Sequence, residues 1–305
     1  MSEVELVHDE HGGVSVVVGG QPQSYVSLDD PEGLVFEYVQ HLAAVIDALL
    51  PASTHPRVAI THVGGAGLSL PRWVHATRPG SPQVVLEPDT ALTELVRREL
   101  PLPRGHRIRV RPQRGREGVA ALADAGADVV VVDAFADGAV PADLVTQEFF
   151  ADVARVLRPG GVLLMNCPDD PGLRYLVRVA AGMREGVGPV ALVALRDVLK
   201  GRRYGNAVLV ASPDGVDADA ITRQLRRWPF PSGVMTPGEL LARAGGARPI
   251  HDGEDVPPPT APDRADGAPR GPAAPPAPPA AAPRGRAGPG ASGRHVEGPV
   301  RYRPE

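Results

Sequence analysis

The sequence predicts an α/β chain: a parallel β-sheet covered by helices on both faces, with a small β-rich segment ahead of it and a structureless tail behind. Three observations carry this. Short apolar runs of β character alternate with stretches of helical period between residues 34 and 249, and strands alternating with helices imply a parallel sheet with both faces buried. Two β-rich runs around a glycine turn precede that region, and a Pro/Ala/Gly/Arg mixture follows it. The expected divisions are therefore 1–33, 34–249 and 250–305.

In chain order, Leu6 to His8 and Val14 to Val18 flank Asp-Glu-His-Gly-Gly, which predicts a small N-terminal β-hairpin. From Leu34 to Leu50, apolar residues such as Tyr38, Leu42, Val45 and Leu49 recur with a period near 3.6, and Pro51 stands just past the end, so an amphipathic helix enters the core there. The repeating theme follows. Val58 to Val63, Gln83 to Leu86, Ile108 to Val110, Asp128 to Val132 and Gly161 to Met165 are expected strands. Helices are expected after them near Leu70 to Ala76, through Leu100, at Glu117 to Ala125 and at Thr146 to Leu157. Val190 to Leu195 and Ala207 to Ala211 supply closing strands. Beyond 250 the chain lacks the apolar periodicity needed to offset chain entropy and is expected to be a disordered tail.

Composition narrows the partners. The 305 residues are 43% hydrophobic, enough for a sizeable core, and the net charge of −4 supplies no global field toward nucleic acid or an anionic membrane. A small-molecule partner is expected instead. The single cysteine, Cys167, excludes an intrachain disulfide framework and Cys-rich zinc patterns, and suits a reducing cytoplasm. The opening MSEVELVHDEHGG is acidic where a signal peptide is basic and then apolar, and no run of about 18 uncharged apolar residues predicts a membrane span. His8, His11, His41, His55, His62 and His75 show no close spacing on one helix face, so no metal is expected.

In open α/β sheets ligands lie beyond the carboxyl ends of the strands, so the loops that follow the strands hold the candidates. In VGGAGLSLP, Gly64, Gly65 and Gly67 allow close approach of backbone to a nucleoside, although a glycine turn serves any tight strand-to-helix connection. In VVLEPD, Glu87 lies about 20 residues after the glycine loop, where a carboxylate can accept both hydroxyls of a ribose; it could equally cap the following helix. The strand Val129 to Val132 delivers Asp133, and Asp137 follows. Two acids there can hold a cationic amine and take its proton, or serve as ordinary turn residues. In RVRPQRGREGVAAL, Gly115 opens a helix and Arg114 reads as a solvated loop charge.

VGGAGLSLPRWVHATRPGSPQVVLEPD, DVVVVDAFADGAVP, EFFADVARVLRPGGVLLMN and YGNAVLVAS, taken in series over residues 34 to 212, resemble the spermidine synthase (polyamine aminopropyltransferase) family. The resemblance implies a Rossmann-like, class I methyltransferase sheet behind a small N-terminal β domain, a homodimer, and a transferase of polyamine biosynthesis. By that resemblance Gly64, Gly65, Gly67 and Gly115 fall in cofactor-binding positions. Glu87 matches the acid on the ribose of decarboxylated S-adenosylmethionine and Asp133 the catalytic aspartate, Asp137 approximates the amine-binding aspartate, and Tyr38 falls where the family carries a tyrosine near the reacting amine.

The sequence also departs from the family. Gly67 stands where an aspartate usually meets the cofactor's amine end, Gln113-Arg114-Gly115 where an aspartate reads adenine, and Gly138 where a proline follows the second acid. The expected activity is aminopropyl transfer from decarboxylated S-adenosylmethionine to an amine. The alternatives on the same scaffold are a methyltransferase using S-adenosylmethionine, favoured by the lost acid at 67, and a non-catalytic nucleoside-binding or dimerisation module, favoured by Arg114 and by the 4% aromatic content.

Overall fold

The computed structural model describes residues 3–136, 138–259 and 300–302. Val4–His8 (β1), Gly13–Val18 (β2) and Gln21–Ser27 (β3) form an antiparallel meander, one strand more than the expected hairpin. Sequence pattern hides β3: Gln21, Pro22 and Gln23 break the alternation, and one of its two inward residues is a serine, Ser24, beside Val26.

Glu37–Leu49 (α1) follows, burying Tyr38, Val39, Leu42, Val45 and Ile46. The chain then alternates through Ile60–Val63 (β4), Ser69–Thr77 (α2), Gln83–Leu86 (β5), Thr90–Glu99 (α3), Ile108–Arg111 (β6), Gly115–Ala120 (α4), Ala127–Val132 (β7), Gln147–Val156 (α5) and Leu157–Asn166 (β8). It continues with Arg174–Gly186 (α6), Val190–Leu195 (β9), Arg196–Leu199 (α7), Ala207–Ala211 (β10), Ala218–Leu225 (α8), Ser232–Met235 (β11) and Pro237–Ala244 (α9). A last strand, Val300–Tyr302 (β12), pairs antiparallel with β1.

The large sheet has eight strands in the order β11-β9-β10-β8-β7-β4-β5-β6. It is mixed rather than wholly parallel. From β6 to β8 the neighbours run parallel, while β10 runs against both β8 and β9, and β11 against β9. The reason is connection length: only the short α7 and its turn separate β9 from β10, whereas a parallel return needs a crossover of a dozen residues or more. β4 pairs with both β5 and β7, so strand order reverses beside it. The mouth between the ends of β4 and β7 is where such sheets bind ligands.

Three apolar groups bury the sheets. One face of the large sheet packs α5 and α6 through Phe149, Phe150, Leu176 and Val179. The other packs α1, α2 and α8 through Leu42, Ile46, Trp73 and Ile221. The third joins Val4, Leu6, Val14 and Val16 of the small sheet to Leu92, Leu95 and Val96 of α3, so the N-terminal sheet sits over the glycine-loop end of the larger one.

The segment after 250, placed in the tail by composition, begins docked. Ile250 is 2% exposed and its carbonyl accepts the Gln147 amide, Asp252 pairs with Arg116 at 2.8 Å, and Glu254 pairs with Arg178 at 2.7 Å. The Pro/Ala-rich stretch 260–299 lies outside the described residues, as does Asp137.

Candidate active site

The glycine loop is shaped by contacts no larger residue could make. Gly64 has a φ of +95°, and a Cβ on it would stand 2.2 Å from the Asp133 carbonyl oxygen. A Cβ on Gly65 would stand 2.9 Å from Val85 Cγ1 and 3.3 Å from Glu87 Cβ. The loop therefore closes directly onto the ends of β7 and β5. Ala66 and Leu68 also carry positive φ, 37° and 63°, a strained run of the kind that persists where surrounding structure enforces it.

Glu87 supplies part of that enforcement. Its Oε2 accepts the amides of Gly65 at 3.0 Å and Ala66 at 3.3 Å, and its Oε1 accepts the Asp89 amide at 3.0 Å. The side-chain cap of α3 is Asp89, which accepts the Leu92 amide at 2.9 Å, so Glu87 ties the glycine loop to the start of the helix without being its cap. Buried Arg72 pins the other side of the loop, donating through Nε to the Gly67 carbonyl at 3.2 Å and through its terminal nitrogens to Leu100 and Pro101 carbonyls.

Asp133 stands at the carboxyl end of β7. Asn166, at the end of β8 and 1% exposed, donates its Nδ2 to Asp133 Oδ1 at 3.0 Å, while its own Oδ1 has no partner among the described residues. Burial raises the Asp133 pKa to about 6, against the opposing pull of Asn166 and of the nearby Tyr38 hydroxyl. Tyr38, in the first turn of α1 and stacked on Phe36 at 6.0 Å, has its own pKa driven well up by burial and then by the Asp133 and Glu37 charges. At neutral pH the pair is thus a carboxylate that titrates just below neutrality beside a neutral phenol.

A cleft joins these groups. Tyr38, Gly64, Gly65 and Asp133 line it, together with His62, Phe135 and Ser69, and with Gln23 and Ser24 contributed by the small sheet. His62 is no proton carrier near neutrality: it is 3% exposed, bonds Gln83 Oε1 at 2.9 Å, and burial lowers its pKa to about 4. Among the described residues no group of three or more His, Cys, Asp or Glu could hold a metal ion. No helix of the described residues is long and apolar enough to cross a membrane.

Two expected positions point elsewhere. Gly67 is turned into the small sheet, where its amide donates to Ser24 Oγ at 3.0 Å and a Cβ would stand 2.8 Å from Ser24 Cβ. Gly115 packs the start of α4 against β4, a Cβ there standing 2.4 Å from Val63 Cγ1. Arg114 is exposed at the start of α4. Asn166 and Ser24 were not read from the sequence. Asn166 obeys the same rule that found Asp133, a polar residue ending an apolar strand, whereas Ser24 sits in the strand whose alternation is hidden.

Among solved structures, the chain resembles a probable spermidine synthase from Corynebacterium glutamicum with a TM-score of 0.77 and 33% identity, over 84% of this chain and 95% of that one. The chain belongs to the spermidine synthase family. A spermidine synthase crystallised with the transition state analogue AdoDATO shares the fold at a TM-score of 0.55 and 15% identity, over 80% of this chain and 81% of that one. Polyamine aminopropyltransferase of Neisseria meningitidis serogroup A is 28% identical over 145 residues, 47% of this chain. The chain spans about half the length, 53%, of that curated relative. No protein-family model matches the chain. In this member of the family the glycine loop closes onto Glu87, Asp133 stands at the mouth of the cleft, and the small sheet fills the space beside Gly67.

Proposed function

We propose that the chain is an aminopropyltransferase-like enzyme that alkylates an amine using a sulfonium nucleoside of the S-adenosylmethionine type as co-substrate. The observation that carries this is Asp133, held by Asn166 and close to Tyr38 in the cleft that Gly64 and Gly65 open. The Gly64–Gly65 turn fits a nucleoside because its backbone presents no Cβ, and Glu87 retains lone pairs for a ribose hydroxyl alongside its amide partners.

The co-substrate supplies an alkyl carbon made electrophilic by the adjoining sulfonium. The amine nitrogen bonds that carbon, the C–S bond breaks with its electron pair returning to sulfur, and the nitrogen's surplus proton passes to the Asp133 carboxylate. Tyr38 orients the amine without giving up its own proton. Positioning and charge placement would supply most of the rate enhancement. The family likeness further supports a homodimer, and the buried lone Cys167 suits a reducing cytoplasm.

A thermal-shift titration tests it, since a ligand that binds the folded state raises the melting temperature. Methylthioadenosine, the nucleoside common to aminopropyl-type transfers, should stabilise both the native chain and Asp133→Asn. Turnover of an amine should be lost in Asp133→Asn alone. Absence of any shift, or full turnover by Asp133→Asn, would overturn the reading.

A further inference from the structure

The same cleft carries information about the tail of the co-substrate. Among its described lining residues Asp133 is the one carboxylate, and His62, which also lines it, is held neutral. The attacking amine needs Asp133 as its proton acceptor. A donor bearing a lone ammonium tail would bring a second positive charge, beyond its sulfonium, to a wall whose described lining residues hold no further carboxylate, and an unpaired enclosed charge is strongly disfavoured.

Nor can the glycine loop supply the missing acid. Any side chain at 67 meets Ser24 Cβ at 2.8 Å and Val16 and Val26 methyls at 3.1 Å. The small sheet has taken that volume and offers neutral groups in exchange. Ser24 Oγ accepts the Gly67 amide, which leaves its hydroxyl proton free to donate. Ser69 Oγ donates to the Tyr25 carbonyl at 2.6 Å, which leaves its lone pairs free to accept. Gln23, on the same strand as Ser24 and on the cleft wall, makes no side-chain hydrogen bond among the described residues and brings two amide donors and a carbonyl.

We infer that the donor is held with its α-carboxylate in place, as S-adenosylmethionine itself rather than the decarboxylated form, with Gln23 and Ser24 donating to the carboxylate and Ser69 accepting from the α-ammonium. A zwitterionic tail is neutral overall and needs hydrogen bonds rather than a counter-charge. This inference rests on the transferase reading above and refines it. On such a donor the same attack forms the N–C bond at the γ-carbon of the aminoacyl tail, breaks that carbon's bond to sulfur, and delivers a 3-amino-3-carboxypropyl group, with the proton again on Asp133 and methylthioadenosine as the leaving thioether.

Calorimetric titration of the full chain with three probes decides the matter: methylthioadenosine, S-adenosylmethionine and decarboxylated S-adenosylmethionine, against the native protein and Gln23→Glu. The native chain should bind S-adenosylmethionine at least about tenfold tighter than its decarboxylated form, the worth of one charge-assisted hydrogen bond. Gln23→Glu should erase or reverse that preference while leaving methylthioadenosine affinity unchanged, because the latter has no aminoacyl tail. Its melting temperature without ligand verifies the fold. A native preference for the decarboxylated donor, or a preference ratio that Gln23→Glu does not move, would overturn the inference while leaving the transferase reading intact. Failure of methylthioadenosine to bind would remove both.

Discussion

The Asn166 amide donates to the Asp133 carboxylate at 3.0 Å across the adjacent carboxyl ends of β7 and β8. The bond joins two parallel strands whose apolar residues are almost wholly buried, so both side chains are delivered to the cleft by rigid backbone rather than by a loop. Burial pushes the Asp133 pKa up and Asn166 pulls it back, leaving it at about 6. A base that titrates near the working pH combines a largely correct protonation state with real proton affinity.

Amine transfer should therefore lose rate as pH falls through about 6, because the acceptor must be a carboxylate. Asn166→Leu removes the donor that favours the charged form, so the acidic limb of kcat/KM should move to higher pH. A rate profile between pH 5 and 9 for both proteins measures this. A limb that stays in place would mean that Asn166 does not act on Asp133.

The same group makes a stability prediction of opposite appearance. Its folded pKa, about 6, lies above the ordinary aspartate value of 3.8, so between those pH values the folded state binds more proton than the unfolded chain. Stability is then lost as pH rises through that window, by up to about 3 kcal/mol at neutrality. Asp133→Asn should melt higher than the native chain at pH 8 and close to it at pH 4. Chemical denaturation at the two pH values gives the difference directly.

Much of this was legible in the residues, and the failures have physical causes. Strands such as Val190–Leu195 and Ala207–Ala211 announce themselves because a strand buried on both faces is a continuous apolar run. Asp133 and Glu87 follow from the rule that such strands end at the site. β3 is hidden because its pattern is polar, and with it Ser24, which decides what the glycine loop can hold at 67. The reversal of β10 leaves no mark in the strand's own residues, because strand direction is set by the length and course of a connection. Asp137, expected to bind the amine, lies outside the described residues.

Glu87→Gln should weaken the glycine loop and its ligand together. The carboxylate accepts three backbone amides, and an amide side chain must turn an N–H toward at least one of them. The expected loss is about 1–3 kcal/mol in stability, with methylthioadenosine affinity falling about tenfold or more. Denaturation and calorimetry read the two effects separately. Loss of stability with unchanged affinity would restrict Glu87 to holding the loop.

Gly64→Ala and Gly67→Ala separate the loop's two duties. At 64 the added methyl meets the Asp133 carbonyl at 2.2 Å from a left-handed backbone, so Asp133 itself must move. At 67 the methyl meets Ser24, Val16 and Val26, and the loop must part from the small sheet instead. Both should destabilise, Gly67→Ala by about 1–3 kcal/mol as an overpacked contact and Gly64→Ala by more, since strain and a backbone clash add. Gly138, at a φ of 82° with open space around it, provides the control: Gly138→Ala meets only the conformational cost of about 1–2 kcal/mol. If the cleft works as its geometry indicates, residual turnover at low temperature should fall far more for Gly64→Ala than for Gly138→Ala at equal folded fraction, because only the former displaces the proton acceptor.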